Sequence, residues 1–336
     1  MKLVHLLLAI IFGLSVVGCS AAAPGAGSDR IAAEPGKQTS GTLDSTEKII
    51  THAMGTVTLK KAPERVVYLF QGMVDIGVAI GAKSVGAVES SEERPWFHYL
   101  RAQMSGVKSV GALTQPNLEV ITSLKPDLII GAKSRAEQEK IYPQLSAIAP
   151  TIMMNDVFDW KTNVMLAGEA LYKEAEAAAV MKEWDTKVQE FKQKMGNRLS
   201  NTEASIIRFE KDGSSRFFVT GFAGTIFQEL GLVRPKVQQV PGKTVVSLTS
   251  KEHMSQLDGD IIFDITQLNQ DNAPATGNTQ TEWTSHPLWK SLKGVQNEKY
   301  FKVNVVTWNL GGGPIAAKAL LDDLFFYFDI NKNSSR

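Results

Sequence analysis

The chain has one cysteine in 336 residues, which excludes a disulfide framework. It has no charge excess worth the name: 36 Lys and Arg stand against 35 Asp and Glu, a formal net charge of +1. A nucleic-acid binder usually carries a marked basic surplus, so that class is set aside. Only one stretch is long and apolar enough to engage a bilayer, which excludes a polytopic membrane protein. With 43% apolar and 21% charged residues, the remainder has the usage of a soluble globular protein and not of a disordered one. Its length suffices for two domains, each with its own core.

The motifs of common chemistries are missing as well. Gly311-Gly312-Gly313-Pro314 precedes a helical pattern, but it is neither a phosphate-binding P-loop nor a G-x-G-x-x-G turn. Pro at the first helical position after a glycine turn accounts for it structurally. Gly221-Phe-Ala-Gly224 lacks the serine of a nucleophile elbow. His52, His98, His253 and His286 are scattered, and none falls in a metal-ligand spacing. The residues therefore point away from an enzyme and name no protein metal site or cofactor.

What is present begins at the N-terminus. After Lys2, residues Leu3–Val17 are apolar except for His5, Gly13 and Ser15, a length that suits a secretory leader better than a membrane span. The run ends in Val16-Val17-Gly18-Cys19. Small residues before the chain's only cysteine resemble a bacterial lipobox, whose thiol is lipidated. Residues 1–18 are accordingly the expected leader, and Cys19 the acylated (palmitate-type) anchor. Residues 19–50 are rich in Ala, Gly, Ser, Thr and Pro without apolar periodicity, which reads as a flexible tether. Anchor and tether together imply extracytoplasmic work at the bacterial cell membrane.

Beyond the tether the sequence echoes itself. Glu119-VITS-Leu124-KP-Asp127-LII and Glu252-HMSQ-Leu257-DG-Asp260-IIF share a Glu, a Leu five residues on, an Asp three further, then an apolar run. Each predicts a short helix, capped by Asn117 or Ser250, leading into a buried strand. Arg65-VVYLFQGMVDIGVAI-Gly81 and Arg216-FFVTGFAGTIFQEL-Gly231 repeat a strand, a turn and a helix closed by glycine. Alternating strands and helices predict an α/β protein of two related lobes with mainly parallel sheets. The expected bounds are 51–158 for the first lobe and 200–330 for the second. Between them, 159–199 contains no proline and is rich in Ala, Glu, Lys and Met, which predicts one helix of roughly 35 residues and about 50 Å, a stiff strut.

These features together resemble the substrate-binding proteins of ABC importers for iron–siderophores, haem and cobalamin. The resemblance rests on GTVTLKKAPERVVYLF (Gly55–Phe70), VGALTQPNLEVITSLKPDLIIG (Val110–Gly131), SKEHMSQLDGDIIF (Ser250–Phe263), HPLWKSLKGVQNEKYFKV (His286–Val303) and WNLGGGPIAAKALLDDLF (from Trp308). It spans Gly55 to Phe328, and it implies two Rossmann-like lobes joined by one long rigid helix. It also implies a non-enzymatic, monomeric lipoprotein that carries a ferric siderophore of hydroxamate, citrate or catecholate type to a permease dimer and its ATPase. Haem or cobalamin carriage on the same fold, and an anchored hydrolase, are the alternatives.

Ligands of open α/β lobes bind beyond the carboxyl ends of the strands. Arg135 and Arg208 lie at such ends, and guanidinium groups suit the oxygens of a ferric chelate. Trp308, just before the glycine run, is expected in the cleft by resemblance. Trp96, Tyr99 and Phe222 are further aromatic candidates in loops or turns. The resemblance also implies that Glu119 and Glu252, one per lobe, dock onto permease arginines. Independently of it, both are acids placed to complement a helix dipole.

Overall fold

The short apolar runs of the sequence become the inner strands of two sheets. The computed structural model describes residues 47–266 and 273–330. The expected leader, Cys19 and nearly all of the tether lie outside the described residues. The tether's expected end at residue 50 is corrected, because the first strand starts at Lys48.

The first lobe opens with an antiparallel hairpin, β1 (Lys48–His52) and β2 (Gly55–Leu59). Then follow β3 (Val66–Tyr68), α1 (Gln71–Ala79), β4 (Ser84–Glu89), β5 (Lys108–Ala112) and β6 (Gln115–Pro116). The lobe closes with α2 (Leu118–Ser123), β7 (Leu128–Ala132), α3 (Ala136–Lys140), α4 (Tyr142–Ile148) and β8 (Thr151–Met154). Its six-stranded sheet has the order β6-β5-β4-β3-β7-β8, parallel except at β5–β6. Every residue of β3, β7 and β8 is buried, as sheets covered on both faces require.

The link between the lobes differs from a single 35-residue helix. It is α5 (Trp160–Ala170), a turn, α6 (Glu174–Met195) and the short α7 (Arg198–Asn201). The break is made by Tyr172, which adopts φ 56°. Its hydroxyl donates to the carbonyl of Leu59 at 3.1 Å, and Lys48 Nζ sits 3.7 Å from its ring centre. Tertiary contacts thus override a run without helix breakers. α5 folds back on α6, with Trp160 edge-on to Trp184 at 5.0 Å. A Cβ on Gly168 would come 2.5 Å from that of Ala177, so the glycine permits the contact. The strut is therefore α6 alone, 22 residues and about 33 Å long. It buries Ala177, Trp184, Val188, Phe191 and Met195 along one stripe.

The second lobe holds β9 (Ala204–Phe209), β10 (Ser215–Phe218), α8 (Gly221–Leu230), β11 (Val245–Leu248) and β12 (Ile261–Asp264). It continues with α9 (Ala273–Thr284), α10 (Lys293–Gln296), β13 (Tyr300–Lys302), a π-turn (Val306–Leu310) and α11 (Pro314–Tyr327). The sheet order is β11-β10-β9-β12-β13. Here the expectation of a mainly parallel sheet is adjusted: β10 runs antiparallel to both its neighbours. The connection from β9 to β10 is too short for a crossover, which leaves a hairpin as the solution.

The first echo is realised in both lobes. Asn117 Oδ1 accepts from the Val120 amide at 3.0 Å, and Ser250 Oγ from the Glu252 amide at 3.2 Å. Asp127 accepts from the amides of Glu64 and Arg65, and Asp260 from that of Glu203. Each echoed Asp so fixes the chain just before the central strand of its lobe. In the second echo, both helices end on glycines with positive φ, Gly81 and Gly231. One apolar cluster runs without interruption from Tyr68 and Phe70 through Trp160, Trp184 and Phe191 to Phe263 and Trp308. The two lobes thus share a core.

Candidate functional site

All the carboxyl ends of the first lobe's inner strands point to one place. The segments after β3, β4, β5, β7 and β8 line a cavity of about 520 Å³, whose far wall comes from the second lobe. That is where an open α/β sheet binds ligands.

Arg135 follows β7 and lines this cavity. Burial pushes its pKa down against the pull of Glu137 and Asp156. Its Nε is enclosed and has no hydrogen-bond partner among the described residues. A guanidinium with an unused, desolvated donor is set to meet an oxygen ligand. The loop beneath it is organised by Gln138, which is fully buried. Gln138 Nε2 donates to Leu69 O at 2.5 Å and to Leu113 O at 3.5 Å, while its Oε1 accepts from the Ala132 amide at 3.0 Å. One side chain thereby ties together the segments after β3, β5 and β7.

Arg94 is the second cation of the wall. Its loop is braced by Arg101, which donates to the carbonyls of Glu93, Arg94 and Trp96 at 2.8–3.3 Å. Ser90 Oγ, also on the wall, donates to Glu92 O and Pro95 O. Glu89, the lining acid, accepts from Ser109 Oγ at 2.6 Å. The remaining first-lobe wall is largely apolar: Phe70, Phe97, Leu113, Val157 and Phe158.

The second lobe contributes Phe218 at the end of β10, with Asn309 and Leu310 from the π-turn and Gly312 after it. The Arg208 guanidinium lies 5.4 Å from the centre of the Phe218 ring. Arg208 sits directly across from Arg216 on the neighbouring strand, and both pair with Glu210. Two cations share one acid, which leaves a positive charge behind the aromatic wall. Among the described residues, no group of three His, Cys, Asp or Glu side chains could hold a metal ion. The arrangement as a whole is a pocket with two arginines and several aromatic faces, suited to a compact ligand that presents oxygens.

Of the residues expected from sequence, Arg135 lies on the cleft wall. Arg208 does not line it and stands behind Phe218. Trp308 has no exposed surface; its ring packs on Phe263 at 4.7 Å and its indole N–H donates to Asp323 at 2.8 Å. Phe222 is likewise fully buried, and Trp96 is in the core. Tyr99 lies where the lobes meet, its hydroxyl donating to Asp75 at 2.7 Å. Trp308, Phe222, Trp96, Tyr99 and Arg208 thus do not line this cavity: their side chains are committed to the core, to the inter-lobe contact or to an ion pair. Phe97 and Phe218 take the places expected of their neighbours. Arg94 was missed, although the rule that selected Arg135, a cation in the loop after a parallel strand, applies to it equally. Glu119 and Glu252 are exposed; Glu119 stands in the first turn of α2, and Glu252 in that of a short 3₁₀ helix, Lys251–Leu257. Neither is in an ion pair among the described residues.

Residues 57–304 match the profile of the family described as periplasmic binding protein. The chain is 39% identical over 291 residues to the "probable siderophore-binding lipoprotein YfiY" of Bacillus subtilis, covering 84% of this chain and 88% of that one. It is 32% identical over 265 residues to the achromobactin-binding periplasmic protein of Dickeya dadantii, covering 78% and 85%. Among solved structures it resembles SirA of Staphylococcus aureus complexed with staphyloferrin B, with a TM-score of 0.79 and 40% identity over 84% of this chain and 98% of that one.

Proposed function

The chain belongs to the periplasmic binding protein family, and on that premise we propose that it captures a ferric siderophore between its lobes and hands it to an ABC permease. The observation that carries this reading is the cleft itself. Arg94 and Arg135 face a cavity walled by Phe70, Phe97, Phe158 and Phe218, so charge and aromatic surface are offered together. The two relatives named above as siderophore- and achromobactin-binding, and the structure holding staphyloferrin B, support the same cargo class. The iron arrives already chelated, and the protein contacts the chelator. Haem is less well supported, since among the described residues the cavity lining includes no His, Tyr, Cys or Met to serve as an axial ligand.

In this account the chain is a carrier and performs no catalysis. Cys19 carries the lipid, the residues after it form the tether, and the folded body works outside the cytoplasmic membrane as a monomer. Glu119 and Glu252 are the docking points for the permease dimer, which its ATPase drives. The test is a titration of intrinsic tryptophan fluorescence with ferric staphyloferrin B, ferric citrate, a ferric trihydroxamate, a ferric tris-catecholate, haem and cobalamin. Saturable tight quenching by one ferric chelate supports the reading. Tight binding of haem or cobalamin alone would replace it.

A further inference from the structure

The first four N–H groups of a helix need partners from outside it. In α11 the residue at the cap position is Gly313, which offers no side chain. The partner comes instead from the opposite lobe. Asp75, the one charged residue of α1, is fully buried. Its Oδ1 accepts from the Ile315 amide at 2.8 Å, and its Oδ2 from the Ala316 amide at 3.0 Å and from Tyr99 Oη at 2.7 Å. Ile315 and Ala316 are the second and third residues of α11, the amides that a local cap would serve.

The glycines around this contact are explained by it. A Cβ on Gly313 would lie 2.6 Å from Asp75 Cγ, so the remote carboxylate occupies the space of a local cap. A Cβ on Gly72 would meet the Gly312 carbonyl at 2.5 Å, and one on Gly311 would meet Tyr99 Oη at 2.7 Å. Gly313 has extended backbone, φ −135° and ψ −177°, the conformation in which Ser or Asp normally caps a helix. Nothing in its backbone demands glycine; the neighbour does.

A local serine would cap α11 without burying a charge. Burial pushes the Asp75 carboxyl up to about 7, against the opposing pull of its three hydrogen bonds. Tyr99 is the titratable group in contact with it. Among the charged groups on the elements packed against α1, Lys161 pairs with Glu229, Lys318 with Glu183 and Asp322 with Lys187, while Glu89 accepts from Ser109 Oγ and Asp323 from the Trp308 indole. What the remote acid adds over a local cap is a link between lobes, and that link lies at the cleft, because Gln71 and Gly72 on one side and Asn309, Leu310 and Gly312 on the other all line the cavity.

We propose that Asp75 is a positioning residue for cargo capture: by capping α11 from the opposite lobe it fixes the wall from Asn309 to Gly312 against the wall at Gln71 and Gly72. The inference rests on the carrier reading above for its cargo, but not for its geometry.

The test compares the parent protein with Asp75→Ala, Gly313→Ser and the double variant, by melting temperature, amide exchange and affinity for ferric staphyloferrin B. Asp75→Ala should lower the melting temperature, speed exchange at Ile315, Ala316 and residues 309–312, and weaken affinity roughly tenfold or more. Gly313→Ser alone should do the same, since its side chain displaces Asp75. In the double variant the introduced hydroxyl has room to cap α11. Melting temperature and protection of Ile315 and Ala316 should then recover, while affinity stays low and residues 309–312 keep exchanging fast. Recovery of affinity and of protection at 309–312 in the double variant would overturn the proposal and leave Asp75 a helix cap only. Unchanged affinity and exchange in Asp75→Ala would overturn it too. Should Asp75→Ala not fold, the double variant decides alone, parental affinity counting against the proposal. If the parent protein does not bind ferric staphyloferrin B, the cargo reading loses its support, and exchange at 309–312 decides this inference on its own.

Discussion

The indole N–H of Trp308 is donated to the carboxylate of Asp323 at 2.8 Å, and this bond pins the π-turn from which Asn309 and Leu310 reach the cleft. Burial raises the Asp323 pKa, and the Trp308 bond opposes that rise. Trp308→Phe should keep the ring contact with Phe263 but leave Asp323 without its donor, at a cost of about 1–3 kcal/mol. Trp308→Ala, a truncation in a closed core, should cost about 3–5 kcal/mol. Urea unfolding measures both. Cargo affinity should fall in both variants through the displaced turn; a loss of affinity in a variant of parental stability would mean that the ring touches cargo after all.

Gln138 makes a separable prediction. Gln138→Leu removes the partners of Leu69 O and the Ala132 amide, both inside the first lobe. Unsatisfied buried groups of this kind cost about 1–3 kcal/mol each. The variant should fold less stably and bind cargo less tightly, because the Arg135 loop loses its brace. A parental chemical-denaturation curve would show that the network carries no such weight.

Stability should depend on pH through Asp75. Its folded pKa of about 7 lies above the unfolded value near 3.8. Between the two, the native state holds a proton that the unfolded chain has released, so stability falls as pH rises from about 4 to 7. Burial also raises Asp264, which acts in the same direction. His52, lowered by burial, acts in the opposite one, so the comparison must be with a variant. Asp75→Asn should reduce the loss of stability between pH 5 and pH 8. Identical pH slopes for the two proteins would contradict the assignment.

The proposed delivery step uses Glu119 and Glu252, neither of which lines the cleft. Glu119→Ala/Glu252→Ala should retain cargo affinity and melting temperature yet fail to support uptake in cells, with single variants milder, since such contacts orient docking more than they add affinity. Cys19→Ser should release the protein from membranes. Normal uptake by the double variant at matched expression would return both acids to a helix-terminus role, and a lipid-modified Cys19→Ser protein would refute the anchor.

Much of this architecture could be read from the sequence because it is written in local signals. The echoed Glu, Leu and Asp fixed a capped turn and a buried strand in each lobe, and Asp127 and Asp260 do equivalent work in the structure. The break at Tyr172 could not be read, because its cause is a hydroxyl bond to Leu59, more than a hundred residues away. The same holds for the glycine run, which reads as a helix entrance: Gly313 makes room for the Asp75 carboxylate of the other lobe, Gly311 for Tyr99 Oη, and Gly312 takes φ 67° against Gly72. Site residues were legible by loop and not by side chain. Whether Trp96, Phe97 or Tyr99 faces the cleft depends on how a turn docks on the core, and neighbouring aromatics give the same composition in each case.

The central claim is that the cleft between the lobes takes a ferric chelate through the arginines at its wall. Isothermal titration of ferric staphyloferrin B into parent protein, Arg135→Ala and Arg94→Ala measures it most directly. Loss of a charge-assisted hydrogen bond of about 1.5–3 kcal/mol should weaken binding roughly ten- to a hundredfold in each variant with melting temperature preserved. Arg208→Ala should have a smaller effect, exerted through Phe218. Tight binding by the parent that is unchanged in both Arg135→Ala and Arg94→Ala would contradict the account, since the cargo would then sit elsewhere.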